Sequence, residues 1–257
     1  MINKKKWSPI FAIVILSFIC LISCSKNVEF TTEQVHFTED NFSCSNKPCA
    51  TIDINLLVVE GVAHSHKINQ SIDQHLANLV GLEEESYPLY LEKAITLFNK
   101  EYRDLKTEFP DELYTYEVTM NCFVNFKSSE LLTVEVYYYL FTGGAHGYEG
   151  TKFIHYNLEN GEEIHPNRLF KNVKKVSKLC ENTFRRTYNI PPDENINSTG
   201  FNFEKDQFYL PENVGFQGDS ILFFYNAYEI NPYASGSTQI KLPLEKLKDQ
   251  FAVDLSK

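Results

Sequence analysis

Residues 114–141, YTYEVTMNCFVNFKSSELLTVEVYYYLF, contain the most regular pattern in the chain. From Tyr114 to Phe126 every second residue is apolar, and most of the residues between them are polar. Such alternation is typical of a β-strand with one buried and one solvent-exposed face. Ser128-Ser129 separates this run from a second apolar run at 132–141. The stretch therefore predicts a long antiparallel hairpin with one solvent-exposed face.

The segments on either side of the hairpin predict helices and further strands. Before it, alternation at 52–58 predicts a strand, and apolar residues at helical spacing predict one helix at 68–80 and another from about residue 89 to Phe109-Pro110. After it, strands are predicted at 151–158, 208–210, 221–225 and 238–242, and helices at 173–188 and 244–251. The elements come in blocks rather than in strict alternation. This order predicts an α+β fold of mainly antiparallel sheets packed against a few helices.

The N-terminus has the pattern of an export signal. Lys4-Lys5-Lys6 precedes an apolar run at 10–22, which is shorter than the ~20 residues of a membrane span. Residues 21–24, Leu-Ile-Ser-Cys, resemble the lipobox of bacterial lipoproteins. We therefore expect a signal peptide at 1–23, lipid on Cys24, a tether at 24–47, and a protein exported and anchored to the bacterial cell envelope, on the periplasmic side or at the cell surface. The alternative is a plain transmembrane anchor with an incidental cysteine.

The charge of the exported part bears on its partners. The chain has 24 Lys and Arg against 34 Asp and Glu, and three of the lysines lie in the predicted signal. Without the signal, 21 basic and 34 acidic side chains remain, a net charge of −13. Because this surface has no basic stripe, nucleic acid is not expected as a partner. A cationic protein, in contrast, would be attracted.

Four cysteines remain after the signal and the lipid site are set aside: Cys44, Cys49, Cys122 and Cys180. Four cysteines allow three pairings, and the sequence does not choose among them. Cys44 and Cys49 flank a turn-like insert, Ser-Asn-Lys-Pro, and are the favoured disulfide. The alternative for Cys122 and Cys180 is a pair of buried free thiols. The chain has no Cys-x-x-Cys pair, so no zinc site is predicted. No other metal and no cofactor are predicted either.

Two motifs resemble a known family. They are the run at 141–147, Phe-Thr-Gly-Gly-Ala-His-Gly, and the run at 223–236, which contains Tyr-Glu-Ile-Asn-Pro-Tyr-Ala-Ser-Gly. Together they resemble the paired extracytoplasmic modules of the RsiV/PdaC-like family, found in the lysozyme-responsive anti-sigma factor RsiV and the peptidoglycan deacetylase PdaC. The resemblance implies a PdaC-like module at 48–160, an RsiV-like module at 161–257, an α+β fold, and contact with lysozyme or peptidoglycan.

The chain also departs from these relatives. Only six residues precede Trp7 and the apolar run, whereas an anti-sigma factor needs a cytoplasmic segment there. The Asp-Asp dipeptide and the His-x-x-x-His spacing of a metal-dependent polysaccharide deacetylase are both missing from the sequence. We therefore expect a binding module without catalytic chemistry.

The candidate binding residues lie in the two motifs. Gly143 and Gly144 are free to adopt φ > 0 and to direct backbone N–H groups at an anion, while His146 can exchange a proton. The alternative is a tight turn whose histidine bonds the loop. Tyr228 and Tyr233 are suited to stacking on sugars or to anchoring a protein partner. The sequence thus predicts recognition of a lysozyme-like cationic protein or of peptidoglycan, the alternative being an envelope glycan hydrolase or deacetylase-like enzyme that uses His146.

Overall fold

The computed structural model describes residues 30–42, 44, 47–81, 90–111 and 113–256. The predicted signal peptide and Cys24 lie outside these residues. Two sheets and four α-helices within them confirm the predicted α+β fold. In this part of the chain, no helix is both long and apolar enough to cross a membrane.

The first sheet has five strands in sequence order: β1 (Thr31–Thr38), β2 (Thr51–Glu60), β3 (Glu117–Lys127), β4 (Leu131–Phe141) and β5 (Tyr148–Asn157). Neighbouring strands are antiparallel except β2 and β3, which run parallel. Parallel neighbours need a long crossover. Helices α1 (Ser65–Val80) and α2 (Leu91–Glu108) lie in that connection and cover one face of the sheet.

The long hairpin at the centre of this sheet has the predicted form, with one irregularity. Val124 pairs with Val134, whereas Phe126 pairs with Thr133, so that Asn125 is an extra residue in β3. A β-bulge of this kind redirects a side chain away from the regular alternation. Asn125 is therefore free to point at the second sheet instead of straight into solvent.

The sheet begins inside the segment predicted to be a tether. Residues 31–38 form β1, and Gln34 Nε2 donates to the Cys122 carbonyl at 2.8 Å. Most side chains of β1 are exposed, so its sequence lacks the apolar alternation that reveals other strands. The prediction of a tether is therefore wrong for residues 31–38.

A disulfide joins Cys44 to Cys49 just before β2, while Cys122 and Cys180 are buried free thiols.

The second sheet is three-stranded and antiparallel, with β6 (Asn213–Gln217), β7 (Ser220–Tyr225) and β8 (Thr238–Pro243). Helix α3 (Val173–Thr187) packs against it through Val176, Cys180 and Phe184. A separate hydrophobic core forms here, and Phe184 contacts the rings of Phe201, Phe203 and Phe208.

Two predicted elements of this region differ in the structure. Residues 208–210 form no strand in the described chain, and Phe208 packs instead into the aromatic cluster around Phe184. The predicted helix at 244–251 is shorter: α4 spans Leu244–Leu247, and a 3-10 turn, Lys248–Gln250, follows.

Asparagine side chains satisfy the outer edge of β5. The Asn213 amide accepts from Phe153 N at 3.0 Å and donates to the Thr151 carbonyl. The Asn226 amide accepts from Thr151 N at 2.8 Å and donates to the same carbonyl at 3.0 Å. Each amide presents a donor and an acceptor as a neighbouring peptide group would. At Thr151 and Phe153 the edge is therefore closed by side chains of the second module rather than by a sixth strand. At His155 and Asn157 the backbone of residues 162–164 closes it.

A third amide connects the modules, and here the side chain belongs to the first module and the backbone to the second. Asn125 of the bulge accepts from Phe216 N at 2.8 Å and donates to the Phe216 carbonyl at 3.0 Å. Beside it, the Phe126 and Phe216 rings stack with centroids 4.2 Å apart. At Gly215, a Cβ atom would collide with the Phe153 ring, so a larger residue there would displace the ring or move β6 away from β5. We call Asn125, Asn213 and Asn226 the amide clamp.

We expect Asn213→Ala to destabilise the protein by about 1–3 kcal/mol, because Phe153 N–H loses its acceptor in a partly buried position. The free energy of unfolding from urea titration measures this. Gln239→Ala on β8, where the side chain is exposed, is the control and should change little. Equal stability of the Asn213 and Gln239 variants would contradict the proposed role of the amide clamp.

Candidate functional site

The two sequence motifs meet at the boundary between the modules. The His146 ring stacks on Tyr233, with centroids 4.2 Å apart and planes 8° apart. Tyr233 stacks on Tyr228 at 5.3 Å, and Tyr228 on Tyr148 at 6.5 Å. Tyr138 follows, its centroid 6.0 Å from that of Tyr148. We call these five rings the aromatic ladder. Residues more than 80 positions apart in sequence thus form one surface.

One backbone carbonyl fixes the outer end of the aromatic ladder. The Gly147 carbonyl lies 2.8 Å from His146 Nδ1 and accepts from the Tyr233 hydroxyl at 3.1 Å. Since a carbonyl can only accept, Nδ1 carries the proton, and Nε2 remains for other contacts. A Cβ at Gly147 would lie 2.5 Å from the outer end of the Tyr139 ring, so a larger residue at this position would displace that ring.

Tyr228 is the most exposed rung, and its backbone is strained. Its side chain keeps 60% of its surface exposed, and φ is +73°. A non-glycine residue in this region costs on the order of 1 kcal/mol. The turn is held by Glu229 N donating to the Asn226 carbonyl at 3.2 Å, so the same asparagine that caps β5 also presents Tyr228. Strain at an exposed aromatic residue is typical of a functional position.

Gly143 and Gly144 lie in the loop that leads from β4 to His146. Both have positive φ, +103° and +88°, as their sequence predicted. A Cβ on Gly143 would come within 2.7 Å of the Tyr114 ring, whereas the space around Gly144 is open. These glycines shape the loop but do not join the aromatic ladder. Of the five candidate residues, His146, Tyr228 and Tyr233 come together.

Carboxylates flank the aromatic ladder. Tyr137, in the run Tyr137-Tyr138-Tyr139, donates its hydroxyl to Glu149 at 2.8 Å, and burial together with this carboxylate raises the pKa of Tyr137 to about 12. Burial also raises the pKa of Glu229, with a smaller contribution from the nearby Glu212 carboxylate.

A groove of about 560 Å³ opens between the modules next to these residues. Tyr138, the inner rung, lines it together with Glu163, Glu212, Glu229, Tyr209 and Leu210. Glu163 is tied to α1, because His75 Nε2 at 2.7 Å and Ser71 at 3.2 Å hold the pKa of its carboxyl below the usual range. We call this cavity the inter-module groove. Its volume lies within the range typical of ligand sites.

The sequence did not reveal several of these residues. Tyr148, Glu212 and Glu229 were not predicted as site residues, although Glu229 lies inside the quoted motif. Among the described residues, no three His, Cys, Asp or Glu side chains are grouped so as to hold a metal ion. The chemistry that the site offers is ring stacking, hydrogen bonding and negative charge.

Two family models match the chain. The model described as Deacetylase PdaC matches residues 43–149, and the model described as protein of unknown function (DUF3298) matches residues 165–245. The PdaC match thus lies in the N-terminal part of the chain and the DUF3298 match in the C-terminal part. The resemblance seen in the motifs is thereby confirmed, since DUF3298 is the RsiV-like module. The matches indicate an extracytoplasmic domain family of unknown function.

Solved structures of DUF3298 proteins are similar over both modules. One from Bacteroides fragilis is 25% identical, with a TM-score of 0.64 over 88% of this chain and 94% of that chain. One from Pseudomonas aeruginosa is 17% identical, with a TM-score of 0.58 over 90% of this chain and 98% of that chain. None of the curated proteins matches the chain. The fold of this chain, over both modules, is therefore similar to that of these two solved proteins.

A buried histidine lies on the strand that the amide clamp closes. His155 on β5 is 1% exposed, and its Nδ1 lies 2.9 Å from Thr133 Oγ1. Burial lowers the pKa of His155 to about 4, although the Glu163 carboxylate and the Val214 backbone act in the opposite direction. The ring is therefore neutral in the folded protein at neutral pH.

We expect acid to destabilise the protein through His155. Between about pH 6.5 and 4 the unfolded chain binds a proton that the folded protein excludes, so stability falls as the pH falls. Over that window the loss is about 3 kcal/mol. Urea unfolding of wild type and His155→Gln at pH 7 and pH 4.5 isolates this group, because the other titrations are common to both proteins. A stability difference that does not change with pH would contradict the assignment.

Proposed function

We propose that this chain is a non-catalytic, lipid-anchored protein of the bacterial cell envelope that binds peptidoglycan through the aromatic ladder. The observation that carries the proposal is the convergence of the two motifs in one partly exposed stack of rings. Aromatic faces offer sugars a large apolar contact with polar groups at its rim. The N-terminal lipobox pattern, with Cys24 as the proposed lipid site, supports a location of that surface outside the cytoplasm.

The contacts of His146 favour binding over catalysis. One ring nitrogen is committed to the Gly147 carbonyl, and one ring face is covered by Tyr233. A general base normally has a carboxylate or similar group that orients it toward the reacting atom. Here a backbone carbonyl and a tyrosine ring orient it, which suits a rung of a binding surface.

A second candidate ligand is a cationic protein of the lysozyme kind. The net charge of −13 outside the signal favours it, as do Glu149 and Glu229 beside the aromatic ladder. The two ligands differ in their response to salt. Attraction between exposed charges is screened beyond ~8 Å at physiological ionic strength, whereas ring stacking on sugars is much less affected.

We expect Tyr228→Ala to weaken binding to purified sacculi about tenfold, and Tyr228→Phe to retain it, because the ring rather than the hydroxyl makes the contact. Tyr90→Ala is the matched control, since Tyr90 is comparably exposed and lies at the N-terminus of α2, outside the aromatic ladder. Co-sedimentation at low and high salt measures the affinity, and the melting temperature checks that each variant is folded.

Two outcomes would contradict the proposal. Salt-sensitive binding to lysozyme with no binding to sacculi would favour the cationic protein as ligand. Glycan fragments released by wild type but not by His146→Ala, detected by mass, would favour an enzyme.

A further inference from the structure

A second groove, of about 690 Å³, runs along α3 on the other side of the 208–210 segment. Its lining includes Lys174, Lys178 and Arg185 of α3 and, on the opposite wall, Phe208, Tyr209 and Leu210. We call it the α3 groove. Tyr209 and Leu210 also line the inter-module groove, so the two cavities are neighbours separated by a single ridge.

The α3 groove is basic in an otherwise acidic protein. Residues 167–178 contain five basic side chains and no acidic one. The Arg185 guanidinium is already engaged within the protein. It donates hydrogen bonds to the Glu181 carboxylate at 2.9 Å and to the Pro191 and Glu194 carbonyls at 3.1 and 2.9 Å. Lys174 and Lys178 form no ion pair within the described residues. They are the cations that this groove offers to a ligand.

The inter-module groove has the opposite character. Lys152 also lines it, and its charge acts on Glu163, which is in addition bonded to His75. Glu212 and Glu229, in contrast, form no ion pair in the described part of the chain. These two carboxylates lie close enough for Glu212 to act on Glu229. An ammonium group entering the groove would relieve their repulsion.

The ridge between the grooves is an ordered apolar surface. The Tyr209 hydroxyl donates to the Glu229 carbonyl at 3.2 Å, and the Tyr209 ring packs edge-on against Tyr225 at 6.1 Å. The ring is thus held in place while 38% of Tyr209 remains exposed. Leu210 adds an aliphatic side chain beside it.

We propose that the two grooves together bind the peptide stem of peptidoglycan, with a carboxylate on Lys174 and Lys178, an ammonium group on Glu212 and Glu229, and aliphatic side chains across Tyr209 and Leu210. This inference rests on the proposed function and names the part of peptidoglycan that this surface takes. A ligand of one charge sign would be attracted by one groove and repelled by the other. A zwitterionic peptide satisfies both. Tyr138 belongs to the aromatic ladder and to the inter-module groove, so glycan and peptide surfaces are continuous.

The test uses the full chain in detergent and N-acetyl-L-Ala-γ-D-Glu-L-Lys-D-Ala, which carries one ammonium group and two carboxylates. One analogue has the lysine ε-amine acetylated, and another has both carboxylates amidated. We expect Lys178→Glu to weaken binding of the parent peptide about fivefold to tenfold but to leave the amidated analogue unaffected. Glu229→Gln should weaken the parent peptide but not the acetylated analogue. Lys246→Glu and Glu245→Gln, on exposed positions of α4, are the matched controls.

Binding assays with sacculi distinguish failure of this inference from failure of the proposed function. Intact sacculi and glycan strands stripped of peptide should both require Tyr228, whereas only intact sacculi should respond to Lys178→Glu. If the peptide does not bind, or if all charge variants bind it equally, while Tyr228-dependent binding to glycan persists, the inference is overturned and the proposed function stands. Lys178-dependent binding to phosphatidylglycerol vesicles instead of peptide would also overturn it.

Discussion

The arrangement of this protein depends on side-chain amides that substitute for a missing strand. The outer edge of β5 exposes backbone groups that would otherwise be unpaired, and Asn213 and Asn226 bond them at 2.8–3.0 Å through Phe153 N and Thr151 N. Because an amide has one donor group and one acceptor, it reproduces the bonding of a neighbouring peptide. The same contacts protect an edge that would be prone to aggregation and fix how the modules sit against each other.

The candidate binding surface follows from that fixed junction. Neither module contains the aromatic ladder by itself, since His146, Tyr148 and Tyr138 belong to the first module and Tyr228 and Tyr233 to the second. Asn226 connects the two roles, because its side chain caps Thr151 and its backbone begins the turn that presents Tyr228. Asn226 therefore contributes both to the stability of the junction and to the geometry of the site.

The sequence predicted the elements whose patterns were regular and missed those defined by contacts. Strict alternation identified the central hairpin, and helical spacing identified α1, α2 and α3. Strand β1 was missed because an exposed edge strand has no apolar face, and residues 208–210 were mistaken for a strand because aromatic residues that fill a core resemble β-sequence. His146, Tyr228 and Tyr233 were found through their motifs. Asn125 was not, since a polar residue in an alternating strand is expected to face water. Asn213 was not either, because it begins β6, a strand that the sequence did not predict.

Amide hydrogen exchange at Thr151 and Phe153 tests the central claim, that the two modules are locked by side-chain bonds to the edge of β5. If the claim is right, both amides exchange as slowly as those in the middle of β4, through unfolding of the whole protein. Exchange as fast as at the exposed edge of β1 would show that the edge is open in solution and would contradict the account.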